Sequence, residues 1–432
     1  MSQRLVFEME RIANKEMLHR DYNYGLLQSQ ITQPLYAECS DGRVVPALLG
    51  DAMRVADHDW AFKAGPKLPG ESRYELGEIA EGIVHSISTT PASAWLGRLI
   101  KRVTVSRDRL QMHTRFPIAE LPSVLTAQRL AFSLVGGRHV GDFKLANGYE
   151  NKFATLLSVP DGRFGVELVD FGSRNEGRKK FFSGEINIGW GVGLPRDYYE
   201  SDPGPFNEPI NFNISYVLTA GSRVPAQLWN SIERYLKREP IIAPYLSTTV
   251  SRLFPVPKDR SQRNLPVEKG ERMSSYGSAM ARSSVPLYFS GYHPNGDMAQ
   301  EIAKQTEGLL YPVQVPYEDI VMNRVNPAGI ILSLRVPLNS SPLGAIPETL
   351  GYLRQKGHTT AASAELSVMI KETLAMPAPS LEHLRCLEQA VNKVIRQITI
   401  GRLRVLFRSP ISFETNSMGM FSFHDLKGAI NA

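Results

Sequence analysis

Alternation and helical spacing divide the chain into recognisable elements. Residues 4–9 alternate apolar and polar and predict a strand, and 24–35 reads as a helix running into the break at Pro34. Leu76, Ile79, Ile83 and Ile87 recur at helical spacing, with Glu75, Glu78 and Glu81 near the front, where the helix dipole favours anions. Val103 and Val105, a polar turn at 106–108, then Leu110 and Met112 predict a β-hairpin. Further on, 285–290 is strand-like, 297–309 is an amphipathic helix, and 311–315 and 329–336 are strands. Strand, helix and strand at that spacing predict a βαβ unit. A last long helix starts at Ser380, a side chain suited to an N-cap, and carries Leu384, Leu387, Val391, Val394 and Ile398 inward; 403–407 then returns as a strand. Residues 257–284 have almost no apolar periodicity and read as a long surface loop.

Length changes this picture in one respect. At 432 residues the chain exceeds one ordinary core, so two or three domains are expected. Its 42% hydrophobic and 21% charged residues are those of an ordinary globular protein. No run of 18 apolar residues occurs, so no spanning helix is expected.

The net charge is +6, and basic residues gather at 98–115 and 174–180. Nucleic-acid binding would call for base-stacking aromatics among them or a groove-reading helix. The first patch instead belongs to the hairpin's solvated face and the second reads as helix surface, so no nucleic-acid partner is expected. The two cysteines, Cys39 and Cys386, fit no metal or redox spacing and read as small buried apolar residues. None of the nine histidines shows metal-ligand spacing, and His293 and His424 read as surface positions. Gly189-Trp-Gly-Val-Gly193 lacks the third glycine of a dinucleotide fingerprint, and Pro195 follows at once. No phosphate loop and no nucleophile elbow is present, so no cofactor, metal or catalytic residue is assigned.

A series of short segments carries more information through its order. Gln33-Pro-Leu-Tyr36, Asp41-Gly-Arg-Val-Val-Pro-Ala-Leu48 and Asp57-His-Asp-Trp-Ala-Phe-Lys63 come first. Ser183-Gly-Glu-Ile-Asn-Ile188, Ile210-Asn-Phe-Asn213 and Arg223-Val-Pro-Ala-Gln-Leu-Trp229 follow. In this order the chain resembles the peptide/nickel-type extracellular solute-binding proteins of bacterial ABC importers (family 5), as a divergent and shortened member without a signal peptide. The resemblance implies an α/β, two-lobed, periplasmic-binding-protein-like fold (type II, cluster C-like) with a ligand cleft between the lobes. It assigns 1–45, 130–211 and 405–432 to lobe I, 46–129 to a subdomain packed on lobe I, and 212–404 to lobe II. Chain crossings are expected near Asn211–Asn213 and Arg404–Arg408.

The implied function is capture of a small polar or anionic ligand by hinge closure, by a monomer that delivers it to an ABC permease. A cytoplasmic ligand sensor, or a biosynthetic-pathway enzyme or carrier on the same fold, is the alternative. Met1-Ser-Gln reads as a native start, which implies the cytoplasm; removal of a leader would imply the periplasm or the extracellular side. Candidate ligand-binding residues are Tyr24, Tyr36, Trp190, Asn213, Arg335 and Arg408. In peptide-binding relatives an acidic residue pairs with the ligand's N-terminal ammonium. Leu338 stands at that position here, and Arg335 replaces a tryptophan of the same motif. An arginine there favours a carboxylate or phosphate, because its planar fork binds them bidentately.

Overall fold

The computed structural model describes residues 3–9, 22–39, 43–66, 74–89, 96–126, 141–146, 154–158, 162–170, 174–190, 215–242, 284–291, 294–335, 343–346, 364–402 and 407–408. The predicted surface loop at 257–284 lies outside these residues save for Ser284.

Three sheets carry the architecture. The first has the order β1-β10-β9-β8, from β1 (Gln3–Glu8), β8 (Phe143–Leu145), β9 (Ala154–Ser158) and β10 (Phe164–Val169). β1 runs parallel to β10, with Leu5 beside Val166 and Phe7 beside Leu168, and all four side chains are buried. On its other side β1 meets the Ser183–Ile188 segment: Glu8 N–H donates to the Ile188 carbonyl at 2.8 Å. Helices α1 (Tyr22–Ile31) and α5 (Arg174–Phe182) belong to this part of the chain, and α5 is the second basic patch.

The second sheet is the antiparallel array β4-β5-β7-β6, from β4 (Leu49–Ala56), β5 (Asp59–Ala64), β6 (Ile100–Ser106) and β7 (Arg109–Thr114). The predicted hairpin is β6–β7, with Arg107 in its turn at φ 54° and Lys101 and Arg102 exposed. Helix α2 (Leu76–Thr89) buries Leu76, Ile79 and Ile83 beside this sheet, as its spacing requires.

The third sheet has the order β14-β13-β15-β12-β16. Its strands are β12 (Ser215–Ala220), β13 (Val285–Ser290), β14 (Leu310–Val315), β15 (Ile330–Arg335) and β16 (Gln397–Arg402). β13 is parallel to β14 across helix α8 (Asn295–Gln305), which is the predicted βαβ unit. Tyr216, Leu218 and Ala220 of β12 face a core that includes Trp229 and Ile232 of α6 (Ala226–Tyr235), Ile241 of α7 (Glu239–Ile242), and Met298 and Ile302 of α8.

Helices α10 (Ala364–Ala375) and α11 (Leu381–Ile395) do not stay with the third sheet alone. Leu366, Ile370, Leu374, Leu384, Leu387, Val391 and Ile395 share one apolar cluster with Trp60, Phe62, Ile79 and Leu110 of the second sheet's layer. Ala119 N–H donates to the Leu374 carbonyl at 2.9 Å across this contact. The layer expected on lobe I therefore also packs against helices assigned to lobe II.

Ser380 caps α11, its hydroxyl accepting the His383 N–H at 3.1 Å. One expectation is corrected here. The helix ends at Ile395, where Arg396 takes the left-handed conformation at φ 50°, so Ile398 is buried from strand β16 and not from the helix. Strand β16 runs over Gln397–Arg402; of the strand predicted at 403–407 only Phe407 is among the described residues. Both cysteines are free; Cys39 is half-buried and Cys386 is exposed on a solvent-facing turn of α11, so neither is the buried residue that composition suggested.

Candidate functional site

The chain passes between the first and third parts of the fold by a short route. β11 (Gly189–Trp190) pairs antiparallel with β17 (Phe407–Arg408), while β12 pairs with β16. Only residues 403–406 separate the end of β16 from β17. A strand of the third sheet thus leads, within four residues, into a strand paired beside the first. Of the expected crossing near 404–408, Phe407 and Arg408 are among the described residues; the expected crossing at Asn211–Asn213 lies outside them, and Asn213 with it.

At the crossing end of the third sheet, Ser215 stands opposite Arg335 on one side and Arg402 on the other. Residues paired across neighbouring strands share a face, so this row sets two arginine positions around one buried hydroxyl. Plain alternation would put Arg402 on the same face as Ile398 and Ile400, which is the apolar face. A bulge between Tyr216 and Val217 on the β12–β16 pairing prevents that: Thr399 pairs with Val217 and Gly401 with Tyr216, leaving Ile400 as the extra residue. Ile400 joins the core, and the register then sets Arg402 opposite Ser215. Bulges re-aim side chains in this way.

The remaining predicted residues are not gathered into one place. Tyr36, on β2 (Tyr36–Glu38), is a core residue. Its ring lies 6.1 Å from that of Phe62 and is 3% exposed, and its hydroxyl donates to the Gly50 carbonyl. Burial, and secondarily the Asp51 carboxylate, push its ionisation well above the usual tyrosine range. A hydroxyl so placed is not offered to a ligand, and that assignment is corrected. Tyr24 sits on α1. Trp190 pairs with Phe407, and Arg408 with Gly189, in the two-stranded ribbon. Asn187 is held by β1, its side-chain oxygen accepting the Val6 N–H at 2.7 Å. Ser215 and Arg402 went unnoticed in the sequence, because the row they form joins residues from separate parts of the chain. Among the described residues no cluster of three or more metal-ligating side chains occurs, and no helix is long and apolar enough to cross a membrane.

Two sheets joined through a four-residue crossing match solved structures along nearly their entire length. The nickel-binding protein NikA of Staphylococcus aureus, in complex with Ni(L-His)2, superposes with a TM-score of 0.75 over 98% of this chain and 99% of its own, at 10% identity. Oligopeptide-binding OppA of Haemophilus influenzae, holding the peptide RPPGFSPFR, gives 0.74 over 98% of both chains at 12% identity. NikA of Brucella suis, in complex with Fe(III)-EDTA, gives 0.70 over 96% and 98% at 14% identity.

The fold is that of the two-lobed periplasmic binding proteins. No family model matches the chain, and no curated protein matches it by sequence. The binding-protein fold is therefore visible in the course of the backbone more than in residue identities. Its identities of 10–14% with these structures fix architecture and leave the ligand to this chain's own residues.

Proposed function

We propose that this chain is a solute-binding protein that captures a small polar or anionic ligand between its lobes and hands it to an ABC permease. The observation that carries this reading is the row Arg335–Ser215–Arg402 at the crossing end of the third sheet, beside the β11–β17 ribbon. Arginine at the register positions on both sides of a buried serine suits a carboxylate-bearing solute, because charge-assisted and bidentate hydrogen bonds to Arg are the strong ones. The fold supports it as well: in two-lobed proteins a ligand that touches both lobes is bound fully only in the closed state, so binding selects closure. Leu338 in place of the peptide binders' acidic residue points away from a free amino terminus as the recognised group. Among the structural neighbours, Ni(L-His)2 and Fe(III)-EDTA are carboxylate-bearing chelates, and the same chemistry is the first to try here.

The test is calorimetric titration with nickel–histidine, Fe(III)-EDTA, citrate and a short peptide blocked at its amino terminus, followed by small-angle scattering with and without each. Saturable binding with a smaller radius of gyration is expected for at least one carboxylate ligand. Arg402→Gln is expected to weaken it by about tenfold or more, the scale of one charge-assisted hydrogen bond. Absence of both binding and compaction across the panel would remove the reading.

A further inference from the structure

His58 and His113 stand at one end of the second sheet. His58 belongs to the turn between β4 and β5, and His113 lies opposite Asp59 where β5 pairs with β7. The Thr114 N–H donates to the His58 carbonyl at 2.7 Å, so the sheet's own bonding fixes the backbone that carries both rings. The ring centroids are 5.9 Å apart and the planes are inclined by 26°. Both residues are half-buried, with 31% of the His113 side chain exposed.

Each ring is held through the same nitrogen, by a group that only accepts. His58 Nδ1 lies 3.1 Å from the Thr114 carbonyl oxygen, and His113 Nδ1 lies 2.7 Å from Asp59 Oδ1. Neither a carbonyl nor a carboxylate has a proton to give. The proton of each neutral imidazole therefore sits on Nδ1, and the lone pair is on Nε2. Among the described residues no hydrogen bond engages either Nε2. Neither is a buried atom without a partner, so both reach solvent.

Histidines that ligate metal ions are held in this way. Such an imidazole almost always donates its other N–H to a carboxylate or a backbone carbonyl, which fixes the tautomer and raises the basicity of the ligating nitrogen. This pair has one partner of each kind. The spacing fits as well. With metal–nitrogen bonds of about 2.0–2.1 Å, two imidazoles on one ion have centroids about 5 Å apart at a tetrahedral angle and about 6.4 Å apart when opposed. The observed 5.9 Å lies inside that span.

We infer that His58 and His113 form a two-imidazole site for a divalent transition-metal ion of the copper, nickel and zinc group, on the second sheet and outside the row at Ser215. Among the described residues no set of three ligands is completed, so water fills the remaining positions. Net charge contributes little, because Asp59 stands opposite His113 on one side and Arg102 on the other. Selectivity then rests on nitrogen, which suits copper, nickel and zinc; magnesium and calcium take oxygen ligands. Copper(II) heads the order of affinity. The pair has no signature in sequence spacing, since β5–β7 pairing alone brings it together.

The test uses the full chain and copper(II) sulfate, with zinc chloride and magnesium chloride as competitors. Calorimetry gives the affinity, and pulsed electron paramagnetic resonance at one equivalent of copper(II) counts the coordinated imidazoles through their remote nitrogens. Two imidazoles are expected, with competition from zinc and none from magnesium. His58→Gln and His113→Gln are each expected to weaken binding by at least about tenfold, since loss of an outer-sphere partner alone costs that much. His85→Gln, on the exposed side of α2, is expected to bind as the wild type does. A wild-type count of one imidazole or none, an affinity unchanged in either of the first two variants, or competition from magnesium equal to that from zinc would overturn the assignment. The wild-type count decides the matter even if a variant misfolds.

Discussion

The side-chain oxygen of Asn187 accepts the backbone N–H of Val6 at 2.7 Å, tying residues 181 positions apart. Two further bonds, from Asn187 N–H and Ile188 N–H to the Val6 carbonyl at 2.9 and 3.3 Å, complete the clasp. The asparagine is thus an anchor for β1. Asn187→Ala is expected to lower unfolding free energy by about 1–2 kcal/mol, while Asn187→Asp, which keeps an acceptor, is expected to lose less. Chemical denaturation of both variants checks this order.

Tyr36 predicts an alkaline limit. Its phenol is held protonated in the folded state by burial and by Asp51, whereas the unfolded chain ionises it near pH 10. The folded pKa is raised, so the contribution is fully present below the unfolded pKa and is lost as pH rises above about 10, at up to about 1.4 kcal/mol per pH unit for this one group. Tyr36→Phe is expected to be less stable at neutral pH by about 1–2 kcal/mol, because the buried Gly50 carbonyl loses its donor. Between pH 10 and 11 its stability is expected to fall less steeply than the wild type's in urea titrations.

Gly221 tolerates no side chain. A Cβ there would overlap the Pro327 backbone, and the Gly221 N–H donates to the Gly329 carbonyl at 2.9 Å, so the strands cannot part to make room. Gly221→Ala is expected to cost about 1–3 kcal/mol, read from the urea midpoint.

Ser380→Ala removes the only side-chain acceptor at the front of α11 among the described residues. A loss of about 1 kcal/mol is expected, and Ser380→Asp is expected to restore it, since both oxygens serve as N-caps.

Salt dependence tests the proposed site. Binding at the row of Arg335, Ser215 and Arg402 is expected to weaken between low and high ionic strength, because salt screens attraction between opposite charges. Titrations at two salt concentrations read the change.

Much of the fold was legible because local chemistry and long-range packing agree. Leu76, Ile79 and Ile83 are buried as their spacing demands, and Ser380 caps where a hydroxyl suits the turn. The boundary at Arg396 was hidden. Val391 and Ile398 continue a helical spacing across it, and the left-handed residue that stops the helix is an arginine, not the glycine that usually marks such a stop. The row at Ser215 was hidden for a different reason: its three members stand 67 or more positions apart in the chain, and the bulge at Ile400 reverses the parity by which Arg402 would be read. Tyr36 was misassigned because a motif position carries no information about burial, which the Phe62 contact decides.

The four residues between Arg402 and Phe407 also set a mechanical bound. Five Cα–Cα steps at full extension reach about 18 Å, so the two strand ends they join can never separate further, whatever the lobes do. Any opening of this protein must then be rotation about a short leash, with displacement growing with distance from it. Spin labels flanking 402 and 407 would report almost no change on ligand binding, and labels at the far rims would report nearly all of it.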